Sequence, residues 1–139
     1  MLNREQKERS QSEIICIDDL VPENHLLRKI DETVDFTKIY DIVGKLYSAN
    51  QGRPSTDPVV LFKAAIIQHI YGIPSLRRTA EEISLNIAYR WFLGYSLTEK
   101  TPHFSTFSYN FSHRFTGDVV QQIFDWILNE INDAGYLSP

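Results

Sequence analysis

An all-α fold is what this sequence predicts: a compact bundle of five to seven helices, with a helix-turn-helix-like part, around a buried central helix at about residues 58–71. Three observations predict it. From Val59 to Tyr71 only Lys63, Gln68 and His69 are polar, the most apolar run in the chain. A run of that length bounded by stop signals reads as a helix, and one apolar nearly all round reads as buried. Apolar residues in the segments on either side recur at i, i+3 and i+4, and cap and stop residues separate those segments.

Residues 1–19 read as a flexible N-terminus. Within it Ile14-Ile15-Cys16-Ile17 is β-prone and reads as a short strand, with no second strand evident to pair with it. From residue 20 the chain reads as one helical domain. Glu23 to Val34 predicts a short helix carrying His25, Leu26, Leu27 and Ile30. Asp35 suits the N-cap of the next, where Phe36, Ile39, Tyr40, Val43, Leu46 and Tyr47 recur at helical spacing over 36–48. Ser48 to Pro54 reads as a loop. Asp57 and Pro58 suit the N-cap and first turn of the central helix, and Gly72-Ile73-Pro74 forces a turn after it.

Ser75 can cap a helix of about residues 76–84, with Leu76, Thr79, Ala80 and Ile83 inward and Arg77, Arg78, Glu81 and Glu82 outward. Asn86 breaks it. Ile87 to Leu93 predicts a further short helix ended by Gly94. In residues 103–115 Phe104, Phe107, Phe111 and Phe115 are spaced to fall within roughly 80° of one another on a helical wheel. Thr106, Tyr109, Asn110 and His113 stand on the other side, with Arg114 at the flank. Residues 118–134 carry Val119, Val120, Ile123, Phe124, Ile127 and Ile131 at helical spacing, and Gly135 suits the position past the end.

The 139 residues suffice for one domain with its own core. The single cysteine, Cys16, excludes an internal disulfide and fits a cytoplasmic setting. Met1 to Ser12 is polar and charged, so no signal peptide is expected, and no stretch is apolar enough for a membrane. The net charge of −4 is unevenly placed. Residues 1–57 carry 8 basic and 11 acidic side chains, residues 58–115 carry 6 and 3, and residues 116–139 carry none and 4. Only the middle third can present a positive face.

No phosphate-binding loop, dinucleotide fingerprint or HExxH motif is present, and the four histidines lack the spacing of a structural zinc site. No metal site and no active site are expected in this chain. Nucleic-acid binding has the better support. Arg77 and Arg78 sit together on a short exposed helix. The later helix pairs a Phe stripe with small polar residues that would let it lie in a major groove, where Asn110 could bond adenine in bidentate fashion. Arg77, Arg78 and Arg114 are the candidate phosphate contacts; Thr106, Tyr109, Asn110 and His113 are the candidate base contacts; Arg53 is a candidate for a minor groove. The reading helix is 103–115 or 76–84, the former favoured for its two-faced wheel. An assembly surface explains the same residues as well, built from the acidic C-terminal helix, the Ile14–Ile17 segment and the aromatics Tyr89 and Trp91.

Four blocks in order then carry a resemblance. They are Leu20-Val21-Pro22-Glu23-Asn24-His25-Leu26-Leu27-Arg28-Lys29-Ile30-Asp31, Gly52-Arg53-Pro54-Ser55-Thr56-Asp57-Pro58, Asn86-Ile87-Ala88-Tyr89-Arg90-Trp91-Phe92-Leu93-Gly94, and Pro102-His103-Phe104-Ser105-Thr106-Phe107-Ser108. Together they resemble the N-terminal, InsH-like domain of bacterial insertion-sequence transposases of the DDE class. The resemblance implies a domain that recognises the terminal inverted repeats of a mobile element. It implies double-stranded DNA, further copies of the protein and its own catalytic domain as partners, at the bacterial nucleoid. Catalysis would belong to that other domain, an RNase H-like fold whose three carboxylates hold two divalent ions, probably-magnesium chemistry in the family's two-metal scheme. No carboxylate here is carried over as catalytic. The chain departs from the family in having Tyr109, Asn110 and Ser112 where more Arg and Lys are usual, which implies fewer phosphate contacts.

Overall fold

The computed structural model describes residues 1–44, 56–115 and 117–136. A 3-10 turn at Ile17–Leu20 leads to α1 (Leu26–Thr33), α2 (Lys38–Val43), α3 (Pro58–Ile70), α4 (Leu76–Leu85), α5 (Ile87–Leu93) and α6 (Phe104–Tyr109). A π-helical turn at Asn110–Arg114 continues α6, and α7 (Asp118–Asp133) follows. The fold is all-α, with seven α-helices and no strand among the described residues.

The central helix, α3, has its ends written into the chain. The Asp57 carboxylate accepts the Val59 N–H at 2.8 Å, and Pro58 fills the first position, where no N–H is missed. At the other end Gly72 takes φ 61°, and the Ile73 N–H reaches back to the Gln68 carbonyl at 3.0 Å. Between these caps Leu61, Phe62, Ala64, Ile66 and Ile67 are buried, and α2, α4 and α5 pack directly on the helix. Asp57 also accepts the Tyr40 hydroxyl at 2.6 Å. That bond, with burial and the carboxylate charge, pushes the Tyr40 phenol up to about 12. Replacing Asp57 with alanine is expected to cost about 0.5–2 kcal/mol through the lost cap. The same variant returns the Tyr40 phenol towards its ordinary range, and an ultraviolet titration reads that change independently of a urea melt.

Lys63 is the polar exception inside this packing. Its side chain is 13% exposed and bridges Asp31 on α1 at 3.0 Å and the Phe92 carbonyl on α5 at 2.9 Å. The ammonium lies 4.8 Å from the centre of the Phe36 ring and 4.7 Å from that of Phe92. A charge so enclosed persists because it has an ion partner, a carbonyl and two π faces.

Several elements differ from the sequence expectation. The helix expected from Glu23 starts only at Leu26, because the His25 N–H first closes a turn on the Pro22 carbonyl. The His25 ring then caps α1 by accepting the Leu27 N–H at 3.0 Å. Asp35 does act at the start of the next helix, accepting the Thr37 N–H at 3.2 Å, but regular α geometry begins at Lys38. Phe36, Ile39 and Val43 are buried as the spacing requires, whereas Tyr40 is 44% exposed and turns to Asp57. Leu46, Tyr47 and the expected loop at 48–54 lie outside the described residues.

The Ile14–Ile17 run is not a strand. Ile14 and Ile15 are exposed, and the chain turns at once, with the Asp19 N–H on the Cys16 carbonyl at 3.1 Å and the Cys16 thiol on the Asp19 carboxylate at 2.8 Å. Arg28 takes hold of that turn. It bonds the carbonyls of Asp18, Val21 and Pro22, pairs with the Asp18 carboxylate at 3.1 Å, and lies 4.5 Å from the centre of the Trp91 ring. Trp91 in turn donates its indole N–H to Asp18 at 2.8 Å. The turn at 17–22 is thereby strapped across α1 and α5.

Candidate nucleic-acid interface

Helix α4 begins where Ser75 accepts the Arg78 N–H at 3.1 Å, and it buries Thr79, Ala80 and Ile83. Its other face carries Arg77 and Arg78, both exposed. Arg78 pairs with Glu82 at 3.3 Å, one of the two intrahelical pairs the spacing offered. The other arginine does something local periodicity could not reveal. Its guanidinium lies 4.3 Å from the centre of the Phe104 ring, at the first residue of α6. Asn86 ends α4 and caps α5 by accepting the Tyr89 N–H at 3.1 Å, and Gly94 closes α5 at φ 91°.

Between α4 and the entry to α6 runs a groove lined by Arg77, Glu81, Lys100 and His103, among others. The His103 ring accepts the Ser105 N–H at 3.2 Å and meets its hydroxyl at 2.9 Å, so this histidine is the N-cap of α6. Lys100 and His103 were not singled out by the sequence reading. The signal was a lysine and a histidine flanking Thr101-Pro102 just before a helix, which is visible only once α4 is known to lie alongside.

The expected helix over 103–115 is present but changes pitch. After α6 the Phe115 N–H bonds the Asn110 carbonyl five residues back, at 2.8 Å. Phe107 and Phe115 are fully buried, and Phe104 and Phe111 pack at the edge of the core. The Phe62 ring receives both Phe111, edge-on at 5.6 Å, and Phe115, at 5.2 Å.

Of the residues expected on the opposite face, Tyr109 and His113 are exposed and stack at 4.8 Å with 15° between their planes. The His113 Nδ1 stands 3.2 Å from the Tyr109 carbonyl. A carbonyl only accepts, so this nitrogen donates, and a neutral ring then offers Nε2 as an acceptor. Thr106 and Arg114 are half-buried. Asn110 departs from the expectation. It is 4% exposed; its amide N–H donates to the Thr106 carbonyl at 2.8 Å, and its oxygen accepts from Arg114 at 3.1 Å. It faces inward with both ends of the amide engaged, so it does not hold the outward, adenine-facing position anticipated for it. Arg53 lies outside the described residues.

The aromatics assigned to an assembly surface are also placed differently. Tyr89 is buried against Tyr71, and burial, with help from Tyr71 and Glu82, pushes its phenol up to about 12. Trp91 is half-buried under Arg28. Among the described residues no three His, Cys, Asp or Glu side chains gather as a metal site, and no helix is long and apolar enough to cross a membrane.

The arrangement on the page is a basic, polar surface in which α4 and α6 are fixed to each other through one guanidinium. No curated protein and no solved structure matches the chain. Residues 15–113, most of the 139, match the family model described as Transposase domain (DUF772), and the chain belongs to that family.

Proposed function

We propose that this domain binds double-stranded DNA at the terminal inverted repeats of a mobile element, as the non-catalytic, DNA-reading part of a DDE-class transposase. One observation carries the reading. Arg77 locks α4 onto the start of α6, so the cations Arg77, Arg78 and Lys100 stand beside a helix whose outer side bears Ser105, Ser108, Tyr109, Ser112 and His113. Positive charge flanking a helix of small polar residues is what groove docking by a helix-turn-helix reader uses.

In this reading Arg77, Arg78 and Arg114 contact phosphates, with Lys100 and His103 added to them. Tyr109 and His113 meet base edges, with Thr106 at their flank. Strand cleavage belongs to a separate catalytic domain and its two divalent ions, magnesium by the resemblance, and no residue of this chain is assigned to them. The domain acts in the bacterial cytoplasm at the nucleoid, beside its own catalytic domain and in a homo-oligomer.

Selection from a random-sequence duplex library, followed by salt titration of the enriched duplex against a scrambled one, tests this. Preference for one sequence, with log affinity falling linearly against log salt, is the expected result. Arg78→Ala is expected to weaken all duplexes alike and to lower the slope by about one unit. His113→Ala is expected to lose about 1–3 kcal/mol of discrimination at one base position. No enrichment, and no salt-dependent binding, would remove the reading. The assembly alternative keeps one feature, the exposed acids Asp118, Asp125 and Asp133 on α7, and a concentration-dependent mass without DNA affinity would favour it.

A further inference from the structure

The π-helical turn sits in the middle of the surface assigned to DNA, and one buried side chain spans it. Among the described residues Asn110 and Thr79 are the buried polar side chains. Thr79 is accounted for by its hydroxyl bond to the Ser75 carbonyl at 2.8 Å, the ordinary arrangement of a threonine inside a helix. Asn110 does more. Its N–H bond to the Thr106 carbonyl is made inside the helix, while its oxygen reaches forward to a charged side chain, Arg114. A π-turn admits one extra residue per turn and is commonly kept where a helix must aim a side chain rather than merely continue. Here it brings Phe111 and Phe115 together onto Phe62, and so it fixes which way residues 112–114 point.

We propose that Asn110 is a positioning residue for DNA binding, holding Arg114 in the orientation from which its guanidinium meets a phosphate. The inference rests on the DNA-reading function argued above. A guanidinium is a planar fork of donors, so holding it at Nη1 by a buried oxygen fixes the plane of the fork as well as its place. An arginine on a long mobile stem loses side-chain freedom when it binds, and that loss is smaller if the fork is already held. In this chain, with few cations after residue 108, one pre-aimed arginine counts for more than it would in a basic helix. Asn110 thus acts through Arg114 and touches no base.

The test uses the full chain and a mixed-sequence DNA duplex of fixed length, in a salt titration with a thermal melt of each variant. Asn110→Ser is the informative change. A serine hydroxyl can bond the carbonyl four residues back, here Thr106, so the helix keeps that bond while Arg114 loses its hold. The expected result is a melting temperature close to wild type and a salt slope lower by about 0.9, the loss of one phosphate contact. Arg114→Ala should show the same drop, and the double variant should be no weaker than either single one. Asn110→Ala provides a second reading, with the same slope and a lower melting temperature. If Asn110→Ser and Asn110→Ala keep the wild-type slope, Asn110 is structural only and the inference is overturned while DNA binding stands. If the wild-type chain binds no duplex at low salt, the DNA-reading function itself fails and this inference with it.

Discussion

Replacing Phe62 with alanine is expected to destabilise the domain by about 3–5 kcal/mol, the range for removing a fully buried aromatic ring. Phe62 is entirely excluded from solvent on α3 and receives Phe111 and Phe115 on one side of its ring. Aromatic contacts of this kind add to the area they bury, so the cavity cannot be closed by moving a single neighbour. Against a typical total stability of about 5–15 kcal/mol the variant should be near unfolding at moderate temperature. Urea denaturation reads the loss directly. The same change removes the seat of the π-helical turn, so hydrogen exchange at residues 110–115 should rise more than at the far end of α7. A loss under about 1 kcal/mol would mean that the turn is held by its own hydrogen bonds and not by the core.

Phe62 also marks how far the sequence could be read. Helices whose limits are set by local chemistry were legible. The Asp57-Pro58 start of α3, the Ser75 cap of α4, the Asn86 break and the Gly94 stop all occur where residue type demands them. So does the end of α7, where Gly135 takes φ 81° and the Tyr136 N–H returns to the Ile131 carbonyl at 3.3 Å. The Phe stripe was legible as a core-facing stripe because periodicity alone defines it.

What escaped was set by groups distant in sequence or by a change of helical pitch. Asp18 and Trp91 are 73 residues apart, and Lys63 and Asp31 are 32 apart. No local pattern announces such pairs, and so Trp91 read as an exposed aromatic and Lys63 as an interruption. Asn110 was misplaced for a different reason. On an ideal wheel it stands about 105° from the centre of the Phe stripe, a boundary position and not the opposite face. At a boundary the deciding factor is whether the polar atoms find partners inside, and Thr106 and Arg114 supply them. The Arg77 contact with Phe104 joins two elements whose mutual packing had first to be known.

Arg28→Ala is expected to cost about 2–3 kcal/mol and to change how the domain responds to acid. The side chain is 18% exposed and donates to three backbone carbonyls as well as to Asp18. Removing a charged donor leaves those carbonyls without it, and hydrogen bonds to charged groups are individually worth about 1.5–3 kcal/mol. Arg28→Lys should not restore the loss, because an ammonium cannot reproduce the fork that reaches Asp18, Val21 and Pro22 together. The acid response follows from Asp18. The Trp91 indole N–H, then the Arg28 guanidinium by hydrogen bond and charge, hold its carboxyl below the usual carboxylate range. A carboxyl depressed in the folded state stabilises the fold above its unfolded pKa, and that contribution is lost as pH falls through the folded value. Urea midpoints should therefore drop for wild type between about pH 5 and pH 2, the window below the ordinary carboxylate range. In Arg28→Ala the part of that drop due to Asp18 should be smaller, because one of the two groups depressing its pKa is gone while Trp91 remains. An equal acid drop in both proteins would mean that Trp91 alone sets the state of Asp18. Arg28 would then hold the 17–22 turn through the carbonyls only.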